Sequence, residues 1–277
     1  LKFSRAGRFV SQVGERVAPP PAAPAGGGSA GGDTANAGRG GRGGRGGRGG
    51  PPPRAPNSSS TASFGGAAEI SFDAAANEAF VADGSRNRRV AVIDVNTGAI
   101  KRFWGAYGNK PDDASAAAYN PESPPSQQFG TPVRCAQLAN DGLVYVCDRS
   151  NNRIQVFRKN GTFVKEKVIA PRTRGQGSVW DIAFSRDPQQ RFLYVADGMN
   201  MKVHILDRQS LDVLTSFGDG GRQPGQFYAV HSVATDSRGN LYTTETLQGK
   251  RVQKFVFKGV GPVTSPNRGV LWPGPGR

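Results

Sequence analysis

Four side chains capable of acid, base or charge chemistry recur at one position of a repeating sequence pattern. Three lie fourteen residues before a repeated acidic residue, and one lies sixteen before it because its turn, residues 187–190, is two residues longer. The four are Glu69, Arg134, Asp181 and His231. Carboxylates, guanidinium and imidazole groups can bind polar ligands or exchange protons. Because buried unpaired charge is costly, these groups must pair with one another, meet water or bind a ligand.

The acidic residues that set this spacing belong to a unit that occurs four times. An aromatic residue and two small or β-branched residues precede each acid, and a cation follows it by five or six residues. The acids are Asp83, Asp148, Asp197 and Glu245, and the cations are Arg89, Arg153, Lys202 and Arg251. Four copies of one contact are typical of a scaffold, so we interpret each acid and cation as a structural pair.

Each unit has the pattern of four short strands joined by turns. The acids are 65, 49 and 48 residues apart, and a polar insert at residues 109–128 lengthens the first interval. Short strands with Gly, Asn and Asp turns at this period predict the blades of a β-propeller. Residues 3–10 align with residues 157–164 and add the outer half of another blade. The predicted fold is therefore all-β, with four four-stranded antiparallel blades and an N-terminal half-blade.

Composition divides the chain into four parts. Residues 1–18 form the half-blade, residues 66–265 form the blades, and residues 266–277 form a C-terminal tail. Residues 19–65 are rich in Gly, Pro and Arg and contain four Arg-Gly-Gly units between Arg39 and Gly50. Such a composition buries too little apolar surface to fold, so this insert is predicted to be disordered. No apolar run approaches the ~18 residues of a membrane-spanning helix, so no membrane span is predicted.

The repeated unit resembles the NHL repeat. The resemblance is carried by residues 144–157, which read VYVCDRSNNRIQVF, and by residues 217–242, which contain FG, PGQF and HSVATDSRGNLY in order. It covers roughly residues 66–262 and the first fourteen residues. It implies a propeller, commonly of six blades. Four blades and an outer half-blade do not close a ring, so the chain is predicted to be a fragment of one; the alternative is a ring that closes unusually, with Leu271 and Trp272 helping.

At residues 231–234, which read HSVA, the chain is similar to one branch of NHL-repeat proteins, the peptidyl-α-hydroxyglycine α-amidating lyases. That resemblance implies a metal, zinc or calcium, and three inner-strand histidines that hold zinc. It also implies an arginine and a tyrosine near the substrate. Here only His231 is a histidine at an equivalent position, which makes it the metal candidate in a broken pattern. Asp181 is a ligand candidate by its chemistry, and Arg134 is suited to bind a carboxylate.

Three other residues bear on the chemistry of the blades. His204 aligns with Ala91, Gln155 and Gln253 on the third strand and is predicted to be a solvated residue of the sheet face. Cys135 and Cys147 lie on adjacent strands of one blade. They form either a cross-strand disulfide, if the register places them opposite each other, or two buried free thiols.

Three functions follow from the site, the resemblance and the charge. The first is a binding scaffold whose channel mouth engages a peptide, a protein or a small polar ligand. The second is a metal-dependent enzyme of the amidating-lyase type, and the residues leave open whether the chain is an enzyme. The third is RNA binding, since the net charge is +15 and Arg-Gly-Gly segments bind RNA through charge and stacking. The lyase resemblance and the cysteine pair favour an extracytoplasmic location, secreted or periplasmic.

Overall fold

A computed structural model describes residues 2–3, 6–12, 55–114, 118–262 and 267–268 of the chain. The described residues other than residue 55 belong to one compact unit. Residues 19–54, most of the predicted disordered insert with its Arg-Gly-Gly run, lie outside the described residues. No helix in the described ranges is long and apolar enough to cross a membrane.

The strands follow the predicted repeat. An N-terminal hairpin pairs β1 (Lys2–Phe3) with β2 (Phe9–Ser11). The first blade consists of β3 (Ala67–Asp73), β4 (Glu78–Asp83), β5 (Arg89–Asp94) and β6 (Ile100–Trp104). The second consists of β7 (Val133–Leu138), β8 (Leu143–Asp148), β9 (Arg153–Arg158) and β10 (Phe163–Val168).

The third and fourth blades continue the series. The third consists of β11 (Asp181–Phe184), β12 (Phe192–Asp197), β13 (Lys202–Asp207) and β14 (Val213–Phe217). The fourth consists of β15 (Val230–Thr235), β16 (Leu241–Glu245) and β17 (Val252–Phe255). One further strand is β18 (Asn267–Arg268), and short 3-10 helices span Ala106–Gly108 and Arg149–Asn151.

The all-β propeller predicted from the repeat is confirmed, with two differences in strand number. β18 pairs in parallel with β14 and gives the third blade a fifth strand. The fourth blade has three described strands. The fourth strand that the repeat predicts for this blade would follow β17, and residues 263–266 in that region lie outside the described part of the chain.

Apolar residues between successive blades form the core, because a single four-stranded sheet cannot bury both of its faces. The inner strands stand side by side in the order β3, β7, β11 and β15. Phe80 and Phe157 are buried between the first two blades, Ile182 between the second and third, and Phe227 between the third and fourth. The same packing brings the four inner strands together around one axis.

Three of the four predicted acid–cation pairs are present, and each fixes the segment that leads into its blade. The pairs are Asp83–Arg89 (2.9 Å), Asp148–Arg153 (2.7 Å) and Glu245–Arg251 (2.5 Å). Arg89 also donates to the carbonyl oxygens of Ser58 and Ser63, at 2.9 and 2.7 Å. Residues 57–63, at the end of the predicted insert, are thereby held against the first blade.

The third blade uses a histidine where the other blades use an arginine. Lys202 turns away to the carbonyl oxygen of Gly218 (3.0 Å) and to Asp219 (3.3 Å). Asp197 instead lies 2.9 Å from His204 Nε2. Residues 202 and 204 project from the same face of β13, so the imidazole can take the position that the lysine leaves. The prediction that His204 is solvated is therefore wrong, since it is 9% exposed.

The two cysteines form a disulfide between β7 and β8, with their Cα atoms 4.8 Å apart. Of the two alternatives left open by the sequence, the structure shows the cross-strand disulfide. It ties together the strand that carries Arg134 and its neighbour.

Candidate functional site

The blades bring the four predicted residues to one end of the inner strands. Glu69 lies on β3, Arg134 on β7, Asp181 on β11 and His231 on β15, each near the start of its strand. We call them the mouth residues. Arg134 Nη2 lies 2.9 Å from His231 Nε2, although their strands belong to the second and fourth blades. Two residues at the same position of the repeat, Arg134 and His231, therefore contact each other across the axis.

Gln137 links the first three blades at this end. Its Nε2 atom donates to Glu69 Oε1 and to the carbonyl oxygen of Ile182, both at 2.7 Å. No repeated spacing in the sequence selects Gln137. A register shift in β7 between Val133 and Ala136 disturbs strand alternation there, so counting alternate residues from Arg134 does not lead to it.

Asp181 is held by backbone groups of two blades. One carboxylate oxygen accepts a hydrogen bond from the amide of Val233 in the fourth blade (3.0 Å), and the other accepts from the amide of Ile182 (2.9 Å). These contacts fix the carboxylate on rigid strands rather than on a loop, which favours a preorganised site.

An arginine and a tryptophan complete one side of the mouth. The guanidinium of Arg149 lies 3.6 Å from the centre of the Trp180 ring, a cation–π contact. Trp180 meets His231 edge to face, with ring centres 5.5 Å apart, and its Nε1 donates to the carbonyl oxygen of Gly177 (2.6 Å). Sequence reasoning missed both residues. Their positions, directly after a repeated acid and directly before Asp181, were the available signal.

Burial and mutual repulsion shift the pKa values of these groups. Burial, reinforced by the nearby Asp181 carboxylate, raises the pKa of Glu69 to about 8. Burial also raises the pKa of Asp181 to about 6. Burial, and then the positive charges of Arg134 and Arg149, lower the pKa of His231 to about 4. At neutral pH, Glu69 and His231 are therefore uncharged, whereas Asp181 is ionised.

Two polar atoms of the mouth are buried without a hydrogen-bond partner in the described part of the chain. They are Glu69 Oε2 and Arg134 Nε. Such atoms are rare in folded proteins, because a lost hydrogen bond to water is normally replaced. They mark the positions where a bound molecule would gain the most.

The mouth does not fit the zinc or calcium that the lyase resemblance implies. His231 Nε2 lies beside a guanidinium nitrogen of Arg134, and Nδ1 lies 3.1 Å from Ser232 Oγ. A fixed positive charge beside the imidazole opposes a metal cation. Within the described ranges, no group of three or more His, Cys, Asp or Glu residues is arranged to hold a metal. The lyase hypothesis gains no support from this geometry.

The raised pKa of Glu69 predicts how stability depends on pH. The folded protein keeps the Glu69 proton up to about pH 8, whereas the unfolded chain loses it near the ordinary glutamate pKa of 4.5. The Glu69 contribution to stability is therefore present below about pH 4.5 and lost as the pH rises through about 8. Glu69→Gln should be more stable than the wild type at about pH 9 and close to it at about pH 5, since each unit of pKa shift corresponds to about 1.4 kcal/mol.

Urea denaturation at both pH values measures this difference. The control is Glu122→Gln, which changes an exposed glutamate and should leave the pH profile unaltered. Equal pH profiles for the wild type and Glu69→Gln would show that Glu69 ionises normally in the folded state.

Comparison with known proteins supports the assignment of the repeat and does not assign an activity to the chain. Residues 129–157, which include β7 and β8, match the family model described as the NHL repeat. No curated protein matches the chain. Solved structures that align with it include the hydrazine synthase of Kuenenia stuttgartiensis, with 16% identity, a TM-score of 0.48, and coverage of 71% of this chain and 47% of that one.

Two further solved structures show the same level of likeness. A streptogramin B lyase has 12% identity and a TM-score of 0.45, over 70% of this chain and 55% of that one. The WD40 repeats of RRP9 have 14% identity and a TM-score of 0.44, over 68% and 50%. The chain spans about half the length of these structures. It is a β-propeller that carries an NHL repeat in its second blade.

Proposed function

We propose that the chain is a binding scaffold whose channel mouth binds a peptide, a protein or a small polar ligand. One observation carries the proposal: Glu69 Oε2 and Arg134 Nε are buried at the meeting point of the inner strands, and neither has a hydrogen-bond partner among the residues that the structure describes. A ligand that supplies those bonds would recover the free energy lost when the two atoms left water.

Within the described part of the chain, the charged groups of the mouth form no ion pairs. Among the described residues, no carboxylate lies within 4.0 Å of the Arg134 or Arg149 guanidinium, and no cation lies that close to Glu69. Arg134 contacts the uncharged His231 instead. A channel lining that served only to neutralise itself would pair Arg134 with Glu69 or Asp181. The unpaired arrangement favours binding of a molecule from outside.

Replacing Arg134 with alanine should weaken ligand binding at the mouth about tenfold or more, since a hydrogen bond to a charged group contributes about 1.5–3 kcal/mol. The measurement is a titration of the isotope-labelled protein with a library of short peptides and small polar molecules, followed by NMR. Chemical shift changes are expected at residues 67–70, 133–137, 180–183 and 230–233.

The matched control for this titration is Arg191→Ala. Arg191 is exposed and follows the turn at the opposite end of the inner strands, so its loss should not alter binding. Ligands that shift only outer-strand residues, or that bind Arg134→Ala as tightly as the wild type, would contradict the proposed site.

RNA binding is a second candidate, and one observation favours it. Loops at the mouth end of the blades carry exposed cations, namely Arg86, Arg172, Arg174, Arg222 and Lys250. If these five contact phosphates of single-stranded RNA, log K should fall with log salt concentration with a slope of about −3.5. Fluorescence anisotropy with an oligonucleotide at about 50 and 200 mM salt should then show about 100-fold weaker binding at the higher concentration. Absence of binding at low salt would remove this candidate.

A further inference from the structure

The orientation of the Gln137 amide determines which oxygen of Glu69 is available to a ligand. The carbonyl oxygen of Ile182 can only accept, so the atom 2.7 Å from it must be the amide nitrogen of Gln137. The same nitrogen lies 2.7 Å from Glu69 Oε1. Oε1 therefore accepts a hydrogen bond from Gln137, and a proton on the Glu69 carboxyl group resides on Oε2.

The surroundings of Glu69 favour the protonated form. Oε2 is buried and no described group donates to it. A buried carboxylate oxygen with no donor and no paired cation is costly, and such a group is usually neutral. The charged groups that act on Glu69 are Asp181 of β11, which opposes its ionisation, and Arg134 of β7, which favours it. Burial outweighs Arg134, and the pKa is raised to about 8.

We propose that Glu69 and Arg134 form a two-donor subsite for a carboxylate group, in which Glu69 Oε2–H and Arg134 Nε–H donate to its oxygens. The inference rests on the proposed function of the mouth as a ligand site and names the class of ligand. Arg134 and Arg149 carry two positive charges against one negative charge on Asp181. With Glu69 and His231 uncharged, a single negative charge on the ligand balances the mouth.

Proton-linked binding follows from this arrangement. When Glu69 ionises, the subsite loses a donor and gains a negative charge that repels the carboxylate. Affinity should therefore fall about tenfold for each pH unit above about 8, where the folded protein loses the Glu69 proton. The Glu69→Gln variant supplies an N–H in place of the O–H, so it should bind at neutral pH and lose the pH dependence. Glu69→Ala should bind more weakly than Glu69→Gln at every pH, and more weakly than the wild type below about pH 8.

The first test is independent of any ligand. Infrared spectroscopy of the wild-type protein should show the C=O band of a protonated carboxyl group at about pH 6.5. The band should disappear as the pH passes about 8 and should be missing in Glu69→Gln. If the two proteins give the same spectrum at about pH 6.5, the proposal is overturned.

The second test measures binding of acetate, acetamide, triglycine and triglycine amide by isothermal titration calorimetry at about pH 6.5 and 9.5. Acetate and triglycine should bind at the lower pH at least tenfold more tightly than the two amides. If triglycine alone binds, the carboxylate comes from a peptide C-terminus, and if acetate binds as well, a free organic acid suffices. Tight binding of the amides, with shifts at the mouth residues, would overturn the carboxylate subsite and leave the binding scaffold standing. Binding of none of the four probes would overturn the subsite, while the peptide and polar-ligand library still tests the scaffold.

Discussion

Replacing Arg89 with alanine is expected to lower the free energy of unfolding by about 3–5 kcal/mol, because removal of one partner leaves the other charge buried and unpaired. Both side chains of the Asp83–Arg89 pair are 0% exposed. Arg89 also donates to backbone oxygens of Ser58 and Ser63. Urea denaturation measures the loss, and hydrogen exchange should show faster exchange in residues 57–63.

The control for Arg89 is an ion pair on the surface. Lys167 and Asp212 lie 3.1 Å apart with side chains 36% and 67% exposed, and exposed pairs contribute about 0–1 kcal/mol. Lys167→Ala should therefore change stability by no more than that. If Arg89→Ala were as mild as Lys167→Ala, the repeated acid–cation pairs would not be the scaffold contact described above.

Loss of the Cys135–Cys147 disulfide is expected to cost about 2–4 kcal/mol. The bond closes a loop between residues 12 apart in sequence, and without it the unfolded chain regains the freedom of that loop. The comparison is the wild type with and without a thiol reductant in thermal or urea denaturation, beside the Cys135→Ala/Cys147→Ala double variant. The double variant should be as unstable as the reduced wild type.

Two results would speak against a stabilising disulfide. One is a wild-type protein whose stability does not change with reductant. The other is a double variant that is itself sensitive to reductant, since the chain has only two cysteines and the variant retains no thiol. Because Cys135 neighbours Arg134 on β7, reduction should also disturb the NMR signals of the mouth.

The parts of the fold that could be predicted are those that depend on local sequence patterns repeated along the chain. The spacing between Glu69 and Asp83 recurs between Arg134 and Asp148, so equivalent strands were identifiable without coordinates. The blades then place those residues at one end of the inner strands. The sequence could not foresee β18, because two residues that pair in parallel with a distant strand carry no periodic signal.

The site residues that sequence reasoning missed do not follow the regular spacing of the strands. Gln137 follows a register shift in β7, whereas Arg149 reaches the mouth from a 3-10 turn and stacks on Trp180. His204 was judged by alignment with residues of the other blades, yet its role depends on Lys202 turning toward Gly218. In these three cases, the contacts depend on how far the side chain reaches and not on strand periodicity.

The propeller places Arg134 of the second blade against His231 of the fourth. The chain has two histidines, so an NMR pH titration of their ring signals follows each of them. We expect a pKa of about 4 for His231 and a rise toward 6.5 in Arg134→Ala, with no change in the exposed control Lys250→Ala. A wild-type His231 pKa near 6.5 that does not change in Arg134→Ala would contradict the placement of Arg134 against His231.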